Sequence, residues 1–325
     1  MGDKTGIQWT DATWNPIRGC SRVSEGCRNC YAEKVAKRFN GPGMPYDGLI
    51  ARTGQWNGKI TIADNLIDRP LRWKKPRRIF VNSMSDLFHE NVPDSVIDKV
   101  FAVMALSKKH TFQILTKRPE RMLAYCKTLG RHHSYDRVSI AAKEIRKSKG
   151  FFWSLDNNAG WHLPNVWLGV SVEDQATADE RIPLLLQTPS AVRWISAEPL
   201  LGPIDLDAMS RTPGADPDEV TEVDDEYGPP LSGVGGIDWV VVGGESGPGA
   251  RPMHLDWARS LRDQCQAADV PFFFKQWGEF APNWFCDDDG KYDGGPIWMD
   301  RVGKKSAGRL LDGREHNEYP EVRND

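Results

Sequence analysis

The sequence of 325 residues lacks the features that mark several classes of protein. No apolar run approaches the roughly 20 residues that a transmembrane helix needs. The first residues, MGDKTGIQWTD, lack the basic and then apolar pattern of a secretory signal. Six cysteines, three clustered and three scattered, do not resemble a disulfide framework, and there is no internal repeat. We therefore expect a cytoplasmic protein that does not associate with a membrane.

The clustered cysteines are Cys20, Cys27 and Cys30, which lie in the segment GCSRVSEGCRNCYAEKVAKRF. Six residues separate the first two and two residues separate the last two, so their thiolates can converge on one metal centre. A closed structural zinc site needs four ligands, whereas a 4Fe–4S cluster held by three cysteines leaves one iron open. The triad therefore predicts metal binding. The alternative, three buried or free thiols, does not explain why they cluster in a loop with glycine and arginine.

Charge is distributed unevenly along the chain, although the formal net charge is only −3. Residues 1–150 carry 28 Lys and Arg against 14 Asp and Glu, and residues 151–325 carry 14 against 31. A basic region attracts phosphate-rich partners. The sequence thus predicts contact with nucleic acid through Lys74–Arg78, Lys117–Arg121 and Lys143–Lys149. The alternative is that these basic groups pair with the acidic half of the chain after folding.

Short apolar segments alternate with amphipathic segments, which predicts an α/β fold with a parallel sheet and helices outside it. Seven candidate strands favour a complete or partial TIM-like (β/α) barrel, formed as a single domain over residues 1–325 with the cysteine loop after the first strand. The predicted strands lie in IQWTDATWNP, RRIFVNSM, TFQILTKR, NVWLGVSVED, AVRWISAEPL, DWVVVGGESG and PFFFKQWGEF.

Three irregular insertions are expected to interrupt this alternation, at about 40–77, 131–163 and 204–236. The first is rich in Gly and Pro and contains a candidate short hairpin around NGKITIADN. The second is basic and then aromatic, and the third is acidic with few apolar residues. Residues 281–325 are polar and rich in Gly, and we expect them to form an extension that closes the barrel.

Polar side chains follow nearly every predicted strand, as they do at the C-terminal mouth of a barrel that holds an active site. Asp86 follows RRIFVNSM and is a candidate for substrate binding or proton transfer; the alternative is that it caps a loop. Lys117 can bind a carboxylate or a phosphate, and Glu198 can accept hydrogen bonds from hydroxyl or ammonium groups. We predict that these three residues are catalytic.

Several motifs resemble those of known families. A cysteine triad after the first strand of a partial barrel, followed by an aromatic residue and a helix, resembles the radical S-adenosylmethionine superfamily, although the usual cysteine spacing there is three and two. The chain is also similar to a family of unknown function, carried by phages and prophages, that is named for its three-cysteine motif. The segments that carry this similarity span nearly the whole chain: WNPIRGCSRVSEGCRNCYAE, VNSMSDLFHE, FQILTKRPERM, LGVSVED, SAEPLLGPI, VVVGGESGPGARPM, FFFKQWGE and GKKSAGRLLDG.

The first resemblance implies a cofactor and an activity. It implies a 4Fe–4S cluster on Cys20, Cys27 and Cys30, with S-adenosylmethionine bound at the open iron. The strand end VVVGGESG resembles the Gly-rich segment that passes the adenine, because Gly243 and Gly244 let the backbone approach a planar ligand closely. The residues implied to bind this cofactor are Gly243, Gly244, Glu245, Ser171 and Glu173.

The leading hypothesis is therefore an iron–sulfur enzyme of radical S-adenosylmethionine type that acts on nucleic acid or on a nucleotide-derived group. Two alternatives from other classes stay open. One is a zinc-stabilised, non-catalytic protein that binds nucleic acid, with Cys126, His89 or another residue as the fourth ligand. The other is an iron–sulfur protein that serves a separate catalytic partner chain as an adaptor or electron carrier.

Overall fold

The structure of the protein, a computed structural model, describes residues 5–129, 135–149, 162–206, 236–283 and 298–321. Its elements alternate between strands and helices, as the sequence predicts. The strands are β1 Ala12–Trp14, β2 Ile17–Arg18, β3 Thr61–Ile62, β4 Arg78–Val81, β5 Thr111–Thr116, β6 Val166–Ser171, β7 Val192–Ala197, β8 Trp239–Gly243, β9 Phe272–Gln276, β10 Phe280–Asn283 and β11 Trp298–Arg301. The helices are α1 Tyr31–Arg38, α2 Asp64–Ile67, α3 Asp94–Leu106, α4 Pro119–Leu129, α5 Tyr135–Lys149, α6 Gln175–Leu186, α7 Leu255–Ala267 and α8 Lys304–Ala307.

A seven-stranded sheet with the strand order β1-β4-β5-β6-β7-β8-β9 organises the chain. Each ladder described in it is parallel; for example, Ala12 lies opposite Ile79 and Val240 opposite Phe272. Every residue of β6 is buried, which is typical of a parallel strand that is covered on both faces. The predicted mixed α/β fold with a parallel sheet is confirmed.

The described residues fall into two compact units. The first takes the residues up to Ser171 together with Leu184–Arg193, and it contains β1, β4, β5 and β6. The second takes Val172–Pro183 and the described residues within Trp194–Glu321, and it contains β8 and β9. Large side chains that are fully buried form the core of each unit: Trp14, Phe88, Phe101 and Phe112 in the first, and Trp194, Trp239, Phe272 and Phe274 in the second.

Local sequence explains the helices that follow the strands of the first unit. α4 begins at Pro119, whose missing N–H is not needed in the first turn of a helix. α3 begins after Pro93 and buries Val96, Val100 and Phe101, which recur at helical spacing. None of the helices within the described ranges is long and apolar enough to cross a membrane.

The first insertion contains a short antiparallel turn directly before NGKITIADN, in which Ile50 forms a bridge with Trp56. Its strand, β3, pairs antiparallel with β2, so that Ile62 lies opposite Ile17 and Thr61 opposite Arg18. The backbone groups of β3 therefore find their partners in the segment just before the cysteines. This long-range ladder makes the insertion part of the structure that supports the cysteine loop.

The second insertion is not irregular over its described residues. Residues 135–149 form α5, which packs on α3. Val138, Ala141 and Ala142 supply a buried face at helical spacing. The many lysines and arginines around these three residues conceal the periodicity from a reading based on composition.

The described part of the C-terminal extension runs along β9. β10 pairs antiparallel with β11, and beyond them Asn317 forms a bridge with Phe273. The Phe272 N–H donates to the Glu318 carboxylate at 2.9 Å. Residues 284–297 of the extension and 207–235 of the third insertion lie outside the described residues.

Candidate functional site

The loop that carries the three cysteines begins at a position that only glycine fits. Gly19 has a φ of +93°, and a Cβ atom on it would lie 2.2 Å from the carbonyl oxygen of Lys59. One residue earlier in the insertion, the Gly58 N–H donates to the carbonyl oxygen of Cys20 at 3.2 Å. Close backbone contact with the first insertion therefore fixes the start of the loop.

Glu33 on α1 fixes the loop from its other side. Its buried carboxylate accepts hydrogen bonds from Arg22 Nε at 3.2 Å and from the Trp56 N–H at 2.7 Å. Arg22 lies within the cysteine loop, so this ion pair ties the middle of the loop to the helix that follows it. Cys20 and Cys30 pack against an apolar cluster formed by Ala32, Ala36, Tyr46, Leu49, Trp56 and Met84.

The three thiols are partly exposed and none forms a disulfide. Burial and the charge of Asp86 raise the pKa of Cys20 to about 12, and burial also raises the pKa of Cys30. Burial acts in the same direction on Cys27, but the Lys117 ammonium and hydrogen bonds within the loop outweigh it and lower the pKa of Cys27. The charge of Cys27 raises the pKa of both other cysteines, so the three groups lie close enough to interact.

Three cysteine thiolates are a donor set that can hold a 4Fe–4S cluster with one iron left open, and such a cluster on this loop stays a prediction. Among the described residues, no group of three or more His, Cys, Asp or Glu side chains converges closely enough to hold one metal ion. In a 4Fe–4S cluster each cysteine binds a different iron, so the sulfur atoms do not have to meet at one point. A metal bound here would have to displace the thiol protons, which burial favours on Cys20 and Cys30 by raising their pKa values.

Asp86, just after β4, is the centre of a hydrogen-bond network. Its buried carboxylate accepts from the Thr116 hydroxyl at 2.8 Å, from the N–H groups of Phe88 and Lys117 at 2.9 and 3.1 Å, and from Arg118 Nη1 at 3.0 Å. Four donor groups share its two oxygens, so the carboxylate joins the end of β4 to the end of β5. This geometry suits a positioning residue, and proton transfer by Asp86 stays a prediction.

Arg118 connects this network to the cysteine loop. Besides its bond to Asp86, the guanidinium donates to Glu90 Oε2 at 2.9 Å and to Ser21 Oγ at 2.6 Å. Its Nη1 lies 4.0 Å from the sulfur atom of Cys20, and its charge lowers the pKa of that thiol against the effect of burial. A single cation therefore touches both the strand ends and one candidate metal ligand.

His89 completes the network in a neutral state. It is fully buried, with Nε2 3.0 Å from Ser21 Oγ and Nδ1 accepting from the Asn91 N–H at 3.1 Å. Burial and the Arg118 charge lower the pKa of His89, so the ring is neutral at pH 7. Since Nδ1 is an acceptor, we assign the proton to Nε2. Both ring nitrogens are thus engaged within the protein.

Lys117 brings a further predicted residue to the cysteine loop. Its Nζ donates to the Ser171 hydroxyl at the end of β6, over 2.7 Å, and its charge acts on Cys27. The structure therefore brings together Asp86, Lys117 and Ser171 with the cysteine loop, all within the first unit.

The other predicted site residues belong to the second unit, and each of the three acidic residues among them has a basic partner. The most buried of these ion pairs is Glu173–Arg181, whose side chains are no more than 2% exposed and lie 3.2 Å apart. The most extensive is Glu245–Arg251, in which Arg251 donates three hydrogen bonds of 2.8 to 3.0 Å to one carboxylate. The pairs are Glu173–Arg181, Glu198–Lys275 and Glu245–Arg251.

The two glycines at the end of β8 differ in their surroundings. A Cβ atom on Gly244 would lie 1.9 Å from the carbonyl oxygen of Trp277, whereas one on Gly243 would lie 3.3 Å from the side chain of Glu198. Gly244 is therefore required by the close approach of the segment after β9. Contact of either glycine with an adenine stays a prediction.

A protein-family profile with the description "Protein of unknown function (DUF5131)" matches residues 4–320. The chain belongs to the DUF5131 family. Membership in a family of unknown function is thereby confirmed, while kinship with phage proteins and with radical S-adenosylmethionine enzymes stays a prediction. No curated protein and no solved structure matches the chain.

The three basic stretches of this DUF5131 protein differ in how far they face solvent. Lys74 and Lys75 are exposed, as are Lys143 and Lys147 on α5. Within Lys117–Arg121, by contrast, the Arg118 side chain is only 11% exposed and Arg121 donates to backbone carbonyl groups of the first unit. That stretch serves the internal network, so it is a poor candidate for a nucleic-acid surface.

Sequence reasoning missed the residues that anchor the cysteine loop. Glu33 carries a signal that could have found it, because it is an acid among the buried positions of α1. Ser21 and Glu90 carry no such signal, since their role depends on Arg118, nearly 100 residues from Ser21.

Proposed function

We propose that this DUF5131 protein is an iron–sulfur enzyme of radical S-adenosylmethionine type, in which Cys20, Cys27 and Cys30 hold a 4Fe–4S cluster. The observation that carries the proposal is the cysteine loop, whose three interacting thiols are anchored at Gly19 and Glu33. When bound, such a cluster supplies one electron and an open coordination position for S-adenosylmethionine.

The chain's own residues have distinct roles in this proposal. Lys117, held by Ser171 and close enough to Cys27 to lower its pKa, offers a cation for a carboxylate of a bound ligand. Arg118 stabilises the thiolate form of Cys20 and holds the strand ends through Asp86. The network thus holds charged groups of both signs beside the cysteines, and hydrogen bonds fix these side chains in place.

The proposal also specifies which type of α/β fold the chain forms and which class of substrate it takes. Parallel strands in sequence order, alternating with helices, support a partial (β/α) barrel whose strand ends carry the active site. The excess of basic residues in the N-terminal half supports nucleic acid or a nucleotide-derived group as substrate.

The zinc alternative is less well supported by the described residues. Both ring nitrogens of His89 already have hydrogen-bond partners, and Cys126 is fully buried on α4. Neither of the two suggested fourth ligands is therefore available without rearrangement. The adaptor alternative shares the cluster with our proposal and differs from it in binding no S-adenosylmethionine.

The test begins with anaerobic purification, analysis for iron, sulfide and zinc, and a visible spectrum. We expect brown protein with broad absorbance near ~400 nm, as is usual for iron ligated by thiolates. Replacing Cys20, Cys27 or Cys30 by Ala should abolish the colour, whereas Cys265→Ala, a buried cysteine of the second unit, should retain it. A colourless protein with one zinc ion would end the proposal.

A second measurement separates the enzyme from the adaptor. Calorimetry on cluster-replete protein should show binding of S-adenosylmethionine, and reduction in its presence should release 5′-deoxyadenosine slowly without substrate. Lys117→Met should weaken that binding when it is compared with the unaltered protein at equal iron content. A cluster-replete protein that does not bind the ligand at millimolar concentration would favour the adaptor.

A further inference from the structure

Tyr31, the first residue of α1, has an exposed ring that is nevertheless held in place. The residue is 52% exposed, yet its hydroxyl donates to the carbonyl oxygen of Ser83 at 2.6 Å. By contrast, Trp9, Trp14 and Trp56 are all buried. A ring fixed at its backbone and at its hydroxyl loses little conformational entropy when a planar group stacks on it.

The exposed face of α1 around this ring carries only positive charge. Ala32, Glu33 and Ala36 are buried, and successive helical residues are turned by about 100°, so Tyr31, Lys34 and Arg38 lie on the opposite side of the helix, whereas Lys37 is turned towards Glu33. The single acid of the helix, Glu33, is buried against Arg22. The α1 face, which we define as Tyr31, Lys34 and Arg38, thus combines one rigid aromatic ring with two cations.

Helix stability alone does not explain this face. Basic residues in a last turn interact favourably with the helix dipole, which accounts for Lys37 and Arg38. It does not account for an aromatic ring left exposed at the N-terminal end, directly after Cys30, with its hydroxyl bonded to the loop after β4. An aromatic platform beside cations is the arrangement that proteins use to bind unpaired bases and their phosphates.

We propose that the α1 face binds single-stranded nucleic acid, with one base stacked on Tyr31 and the backbone phosphates beside Lys34 and Arg38. This inference rests on the proposed function and specifies its substrate class. A base must be unpaired to offer its flat side to the ring, so a single strand is bound and a duplex is not. Because Tyr31 follows Cys30, the stacked base lies next to the cysteine loop.

The experiment measures fluorescence anisotropy of fluorescein-labelled 12-nucleotide single strands, DNA and RNA, with the full chain purified anaerobically. Tyr31→Ala should weaken binding by about 5- to 150-fold, the loss of one base–aromatic stack, whereas Tyr31→Phe should keep most of the affinity. The double variant Lys34→Gln/Arg38→Gln should lower the slope of log K against log salt by about 1.4, for two phosphate contacts.

A matched variant, Lys143→Gln/Lys147→Gln, removes the same number of cations from α5 and should leave both affinity and slope unchanged. Four results would each overturn the inference: unchanged binding by Tyr31→Ala, an equal loss of affinity in the α5 variant, preference for a duplex of the same sequence, or no binding at low salt. Iron and sulfide are measured on every sample. Cluster-replete protein that fails to bind contradicts only this inference, whereas cluster-free protein whose binding depends on Tyr31 contradicts only the iron–sulfur proposal.

Discussion

The strand ends of the two units carry the same kinds of polar residue in different arrangements. In the first unit, Asp86, Lys117 and Arg118 bond to neighbouring strand ends and to the cysteine loop. In the second, the three predicted carboxylates, those of Glu173, Glu198 and Glu245, each form an ion pair with a basic side chain. A polar residue after a strand is therefore not by itself a sign of a ligand site. The distinguishing feature of the first unit is a set of thiols that the surrounding network anchors without disulfides.

The largest expected effect tests whether the ion pairs of the second unit are structural. Arg181→Met should remove the buried cation beside Glu173 and lower the free energy of unfolding by about 3–5 kcal/mol, because a charge is left without its partner in the interior. Urea denaturation measures this loss. Arg28→Met, which breaks an exposed pair with Glu25, should change stability by about 1 kcal/mol or less. Equal effects of the two variants would contradict a structural role for the buried pair.

Gly19→Ala should damage the cysteine loop more than the rest of the fold. The left-handed backbone costs about 1–2 kcal/mol for a residue with a side chain, and the contact with Lys59 adds about 1–3 kcal/mol. Gly43→Ala, at a φ of +73° in open space, should show only the first cost and keep its iron. Iron per chain and thermal unfolding are measured on both. Full iron content in Gly19→Ala would show that the loop does not need this anchor.

Asp86→Asn separates a positioning role from a catalytic one. Hydrogen bonds to a charged group are worth about 1.5–3 kcal/mol, and the neutral amide keeps fewer of those made by Thr116, Lys117 and Arg118. We expect lower stability and lower iron content together, measured by denaturation and metal analysis. A variant with normal stability, normal iron and no release of 5′-deoxyadenosine would instead assign Asp86 to the chemistry.

The smallest expected effect on stability distinguishes Gly243 from Gly244, the two glycines at the end of β8. Gly244→Ala should cost about 1–3 kcal/mol, since the new methyl group meets the carbonyl oxygen of Trp277, while Gly243→Ala should cost less because its neighbour is the side chain of Glu198. The resemblance to adenine-binding strand ends predicts a different result, with both variants weakening S-adenosylmethionine binding. Unfolding and calorimetry on the same samples decide between packing and ligand contact.

The elements of the fold were largely predictable because they depend on local pattern. PERMLAYCKTL coincides with α4, and the apolar segment PFFFKQWGEF contains β9. The contacts of the site were not predictable, because their partners are distant in sequence. Lys117 and Ser171 are 54 residues apart, and Lys275 and Glu198 are 77 apart. Residue type and spacing were enough to make the cysteines candidates, whereas the ion pairs required the tertiary structure.

The ladder between β2 and β3 has a consequence for the way in which the protein is made. Cys20, Cys27 and Cys30 leave the ribosome before Lys59 and the residues of β3, which give the loop its geometry. The loop can therefore take its folded geometry only after at least the first 62 residues have been synthesised, and we expect the metal binding that we propose to follow that point.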